Sequence, residues 1–503
     1  MTTPLFFDNA ASTTKVLEAA LEHSVETELL LADYDAPVFK IIKTTMEHSV
    51  SQKYISQGKL TVEGFIKLCV YYQPPESEKL SVVSQKIAFQ KQLEVANFDS
   101  EVNFISVCGQ TQYVNTRAQN PTRIDIRGAY LFNFKVYSRL ENRLITAIKS
   151  PTICTDDITI DFFSLAGQNM RQFTLEDEIG MEESAQKILR VETKNADTAI
   201  AVYQDKLTVK GEISADIFYS QENSFDIKKY NKTFLYNQII DIPNMKENYI
   251  PYADVYVSSF AIAQNQDSKK LIANITAQID AKVFSKQQMI VVQDAFSRSF
   301  ECEKQSESFL IDSNIYSVDK TVPFMLEDKF SKEYTVSDVV FEISQPRTYF
   351  EINKTTVKAK LAAHVIARNV QNEYECFTKT DDIYLDWLEH CSQYDEILLA
   401  LSLADYEILQ SDDLLKIKVN LHAQGFVMEK QKLEILHSLN ENSEKPLEGA
   451  PEALILYYGQ KGENVFDIAK EHRTSPQVIA QENQLAEKQL AENQMLLIPA
   501  FEI

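Results

Sequence analysis

The chain has 503 residues, 44% hydrophobic and 24% charged, which is enough apolar material for several buried cores. Its 73 acidic side chains against 50 basic ones give a formal charge of −23, a field that repels nucleic acid and anionic lipid. The 11 glycines form neither G-x-G-x-x-G nor G-x-x-x-x-G-K-[ST], so the glycine-cradled nucleotide enzymes are disfavoured too. Six scattered cysteines without a C-x-x-C pair predict free thiols. The absence of a basic-then-apolar leader and of a long apolar run predicts a cytoplasmic chain without membrane insertion.

In chain order, residues 1–24 read as a helical segment, with Val16, Leu17 and Leu21 on one face from Thr14 to about Ser24. An internal repeat follows. Lys59-Leu-Thr-Val-Glu-Gly64 returns 147 positions on as Lys206-Leu-Thr-Val-Lys-Gly211, and Lys40-Ile-Ile-Lys43 returns at the same offset as Lys187-Ile-Leu-Arg190. A third, drifted copy starts near Thr356-Val-Lys-Ala359. Within each copy the apolar period is two: Leu60, Val62, Gly64, Ile66, Leu68; then Leu207, Val209, Gly211, Ile213, Ala215; then Val357, Ala359, Leu361, Ala363, Val365. Successive strand side chains face opposite sides, so this pattern predicts antiparallel strands with one buried and one wet face. The boundaries are a first repeat at 25–138, a connecting segment at 139–171, a second repeat at 172–297, a connection at 298–322 and a third repeat at 323–437.

Residues 438–451 are polar and proline-punctuated and read as a flexible linker. Over 452–503 the pattern changes: a short strand at Ala453–Tyr458, a helix capped by Asn464, a second helix opened by Ser475-Pro476, and a closing strand at Met495–Pro499. The fold class is therefore multidomain: three mainly antiparallel, sandwich-like β repeats followed by a small α+β module of order β-α-α-β.

Two resemblances sharpen this. Leu31-Ala-Asp-Tyr34, Ile41-Ile42 and Ile55-Ser-Gln-Gly-Lys-Leu-Thr-Val-Glu-Gly64 resemble the opening of the SPOCS domain, the module of clostridial spore-coat proteins. Asp294-Ala-Phe-Ser297 is similar to the turn between tandem copies in that family. The C-terminal string Tyr457-x-x-x-Lys461-Gly-Glu-Asn-Val465-x-x-Ile468-Ala469, followed by Asn483 and by Leu490-x-x-Asn493-Gln494-x-Leu496-x-Ile498-Pro499, resembles a LysM domain. It departs from that family at Glu463-Asn464, where Asp-Thr is usual, at Asn493, where Gly is usual, and at Gly459, which replaces a strand valine and should weaken the strand's end. The LysM resemblance implies a ligand or partner groove with Lys461, Gly462, Glu463, Asn464 and Val465 on one side and Asn483, Gln484 and Leu485 on the other. Phe466 or Tyr458 would offer an apolar face. The same residues serve equally well to cap the helices and hold the fold.

No chemistry is legible beside this. The seven histidines do not cluster, and His364 and His422 fall on wet strand faces. His390-Cys391 lacks ligand spacing, and no G-x-S-x-G elbow occurs. No catalytic residue, metal or cofactor is expected. The layout resembles that of a non-catalytic adaptor of spore coat and envelope assembly, acting in the mother cell at the forespore surface. The resemblance implies as partners a coat-base morphogenetic ATPase, met through the LysM module, and other coat proteins. The alternative is a protein that binds peptidoglycan or cortex glycan through N-acetylglucosamine.

Overall fold

The computed structural model describes residues 4–75, 79–96, 98, 103–181, 185–221, 226–264, 270–351, 354–411, 413–447 and 454–499. Each repeat opens and closes with a long strand and sets a smaller sheet between them. In the first, β1 (Leu5–Leu30) pairs along its length with β6 (Arg123–Ile148), whose other edge takes β5 (Asn103–Asn120). Facing them is the antiparallel sheet of β2 (Lys40–Ser56), β3 (Lys59–Gln73) and β4 (Ser81–Glu94). The second repeat copies this with β7 (Ile153–Gly180), β12 (Lys270–Ser297) and β11 (Ile250–Gln264) over β8 (Lys187–Tyr203), β9 (Lys206–Ser220) and β10 (Lys228–Asp241).

The third uses β13 (Phe300–Lys329), β19 (Leu414–Pro446) and β18 (Glu396–Gln410). Over them lie β16 (Lys354–Arg368) and β17 (Tyr374–Tyr384), and the β2 position is split into β14 (Thr335–Ile343) and β15 (Arg347–Glu351). A 3-10 turn at Asp386–Leu388 follows β17.

The alternation read from sequence builds the cores. Leu60, Val62, Ile66 and Leu68 meet Ile124, Ile126, Phe132 and Phe134 between the two sheets of the first repeat, all fully buried. Equivalent clusters fill the second and third. Burying side chains of this size contributes about 1.5–3 kcal/mol each.

What positions everything else is the excess length of the long strands. Beyond the sandwiches, β1 with β6, β7 with β12, and β13 with β19 continue as three two-stranded ribbons, the second and third bridged where Asp312 of β13 registers with Phe163 of β7. The ribbons pack about one axis into a stem, and each supplies the equivalent residue to every layer. Tyr137, Phe284 and Met428 meet where stem joins sandwiches. Leu144, Val291 and Ile435 form the next layer, and Ile145, Val292 and Leu436 the one after. Buried ionic groups tie the repeats together. Lys53 reaches Asp280 at 2.6 Å, Arg190 pairs with Asp338, and Lys430 holds Asp312 at 2.6 Å while Asp312 also accepts the Thr13 amide.

Several expectations are corrected here. The helix expected over Thr14–Ser24 is part of β1. Leu17, Leu21, Val25 and Leu29 are four apart, which suits one helix face and also one strand face, and the partner strand β6 decides the matter. The connections at 139–171 and 298–322 are largely strand, because the ribbons occupy them. The linker at 438–451 is strand as far as Pro446, paired opposite Phe300–Gln305 except for a bulge at 443–445; its end, 448–451, lies outside the described residues. The wet strand faces are wet only in part. The second halves of β3, β9 and β16 are buried on both sides because the repeats pack on one another through Tyr71, Leu189, Ile366 and Tyr374. His364 is accordingly buried, with Nδ1 against Thr378 at 2.9 Å and Glu342 beside the ring, whereas His422 stays half-buried next to Asp319.

Candidate functional site

The C-terminal module is a two-stranded sheet, β20 (Leu454–Gly459) and β21 (Gln494–Pro499), closed by helices α1 (Val465–Glu471) and α2 (Pro476–Glu482). Val465, Ile468, Ala469, Ile479, Leu490, Leu496 and Ile498 form its core. Asn464 caps α1, its side-chain oxygen accepting the Phe466 amide at 3.0 Å. Glu463 folds back to accept the Gln460 amide at 2.9 Å and the Tyr457 hydroxyl at 3.3 Å. Gly462 sits at φ +89°, a left-handed turn that a side chain would strain.

The polar groups of both predicted groove sides are engaged inside the module, the first side with the 488–490 segment and Asn483 with α2 and β21. The Gly462 amide donates to Leu490, the Val465 amide to Lys488, and the Leu490 amide returns to Glu463. Asn483 donates to the Ile479 and Leu497 carbonyls, each at 2.8 Å, and accepts the Leu497 amide. Lys461, Gly462 and Gln484 remain exposed, while Glu463, Asn464, Asn483 and Leu485 are half-buried and Val465 and Phe466 buried.

Two departures from the LysM pattern acquire reasons. Asn493 lies outside the left-handed backbone region that a glycine there would favour; its side-chain oxygen accepts the Lys461 amide at 2.7 Å. Gly459 leaves room for Leu490, which a β-carbon there would strike. Tyr458 is exposed, on an outward sheet face where Leu456 registers with Leu497 and Tyr458 with Met495. Phe466 offers no free face, because it packs edge-on against Phe296 of the stem, ring centres 5.2 Å apart. Nothing in the short-range sequence pattern announced that contact.

A second concave feature lies where the three repeats meet. It is a cavity of about 390 Å³ lined by His48, Lys53, Cys108, Tyr252, Asp254 and Asp280, among others. Its charges are mutually engaged. Burial works against the Asp280 carboxylate, but Lys282 and Lys53 win and hold it down at about 2. Burial raises Asp254 and lowers Lys282. His48 is driven down to about 4 by burial and shares a 2.9 Å hydrogen bond with the Tyr130 hydroxyl. Burial also pushes the Cys108 thiol up to about 11, so it is no ready nucleophile. All six cysteines are free. Among the described residues no helix is long and apolar enough to cross a membrane, and no group of three His, Cys, Asp or Glu side chains is placed to hold a metal ion.

Comparison with known families agrees with this architecture. The SipL SPOCS-domain model matches residues 37–115 and 184–263, segments within the first two repeats, and the LysM-domain model matches 460–499. The third repeat carries the same strand order with β2 broken in two, although the match does not extend to it. No curated protein and no solved structure matches the chain. Two SipL SPOCS segments and a terminal LysM module point to a sporulation protein that carries a module of the peptidoglycan-binding type.

Proposed function

We propose that this chain is a non-catalytic adaptor of spore-envelope assembly, in which the three-repeat body is a rigid scaffold and the LysM module engages a protein of the coat base at the forespore surface. The observation that carries this reading is the closed hydrogen bonding of the LysM loops. The Gly462, Val465 and Leu490 amides already have partners inside the module and are not open donors for an acetamido group. The outward face of β20 and β21, with Leu454, Leu456, Tyr458, Met495 and Leu497 exposed, supplies an uncharged contact area of the kind protein partners use.

The second reading, binding of N-acetylated glycan, is favoured by the LysM match itself and by the exposure of Lys461, Gly462 and Gln484 at the loop edge. Co-sedimentation of the full chain with purified peptidoglycan, run beside binding to the coat-base morphogenetic ATPase, separates the two. The adaptor reading expects ATPase binding that Leu456→Glu abolishes and no retention on peptidoglycan. It fails if peptidoglycan retains the chain, Gln484 and Lys461 substitutions release it, and those variants still build intact coats.

A further inference from the structure

The contact between the LysM module and the stem is more specific than two bodies touching. On β12 and β7, Asp294 registers opposite Asp156, and two positions along on the same strand faces Phe296 registers opposite Cys154. Like charges directly opposite one another across a sheet destabilise it, so an acidic pair at this position needs a reason. Lys304 of β13 answers part of it, reaching Asp294 at 2.5 Å, and the LysM module supplies the rest. Lys470 of α1 reaches Asp294 at 2.5 Å, and Lys488 of the second loop reaches Asp156 at 2.9 Å and also donates to the Asp157 carbonyl. Between the lysines Phe466 packs on Phe296, and Cys154 is buried in the module's own core cluster, with Ser475 beside its sulfur.

This patch of two acids, Cys154 and Phe296 belongs to one ribbon alone. Stem equivalence, which places Val291 with Leu144 and Ile435, puts Ala147 and Ser438 where Asp294 stands, registered with Phe6 and Gln305 instead of a second acid. Three ribbons of one ancestry therefore differ at the place where the module sits. We propose that Asp156, Asp294, Cys154 and Phe296 form a built receptor that holds the LysM module in cis, and that the module's Phe466–Lys470–Lys488 face recognises paired carboxylates flanking an aromatic side chain. A protein partner presenting that chemistry in trans competes with the stem for this face. The inference stands whichever ligand the module's other faces take.

The buried thiol reports on it. Cys154 in the full chain, labelled with a maleimide and read by mass spectrometry, should react slowly in the wild type. Asp156→Lys places two lysines together and should accelerate labelling by about tenfold or more, as losing an ion pair and gaining a repulsion implies. Cys69 and Cys391, buried elsewhere, should keep their wild-type rates and so show that the body remains folded. The charge-swapped pair Asp156→Lys with Lys488→Asp should restore protection. In the unsubstituted chain, raising salt to about 1 M should speed labelling of Cys154 and leave Cys69 unchanged, because half-exposed pairs are screened. Equal Cys154 rates in the wild type and Asp156→Lys, an acceleration that the swap leaves in place, or indifference to salt would each overturn the proposal.

Discussion

His48 shows how far one residue's chemistry departs from what its sequence neighbours announce. It lies among polar residues on β2, yet burial beside Tyr130 lowers its affinity for a proton from the ordinary 6.5 to about 4. Below about pH 6.5 the unfolded chain takes up a proton that the folded chain refuses, so stability falls as pH drops from about 6.5 toward 4. At pH 4.5 this one group should cost roughly 2 kcal/mol relative to neutrality. His48→Gln can keep a hydrogen bond to Tyr130 without titrating. Urea unfolding at several pH values should therefore show the wild type losing that much more than His48→Gln over the window, whereas parallel profiles would contradict the assignment. Other residue-level features were legible in advance: the cap at Asn464 followed from its place before an apolar helical face. Asn493 was not, since its partner, the Lys461 amide, lies across a fold that only the closed module creates.

At the scale of elements, the strands of the sandwiches were legible because a period of two repeats in register. The ribbons were harder to see. Their signal is present as Leu144-Ile145, Val291-Val292 and Ile435-Leu436, apolar pairs set 147 and then 144 positions apart, but consecutive apolar residues fit no simple alternation. They face a shared axis that no single repeat contains. The Lys430–Asp312 pair tests how the ribbons are held. Asp312 is fully buried and accepts from both the Thr13 amide and Lys430. Lys430→Met should destabilise the chain by about 3–5 kcal/mol, because it strands a buried carboxylate. Adding Asp312→Asn should recover much of that loss. Denaturation midpoints of the single and double variants decide it, and a single variant as stable as the wild type would refute the tie.

Over the whole molecule, the three repeats share cores as well as ancestry. Phe284 belongs to the second repeat yet packs with Tyr137 of the first and Met428 of the third. Its replacement by Ala should cost about 3–5 kcal/mol and move the melting of all three repeats together. Calorimetry should show one transition for the body, shifted as a unit; a separate early transition for the second repeat would show that the repeats are independent. In the sequence they stand as separate repeats joined by connecting segments, because each carries its own alternating pattern. What joins them, Tyr71 with Leu189 and Ile366 on one side of the sandwiches and the stem on the other, becomes visible only when the three patterns are superposed in space.

The stem has a mechanical consequence. Leu5 and Ile148 of the first ribbon, Ile153 and Ser297 of the second, and Phe300 and Pro446 of the third are neighbours at one pole, and the LysM module is seated there as well. Tension between the two ends of the body peels a ribbon open one hydrogen bond at a time. A pull between that pole and the sandwiches runs lengthwise through six strands, so many bonds must shear at once. A layer anchored at both places would give way easily in the first direction and resist in the second.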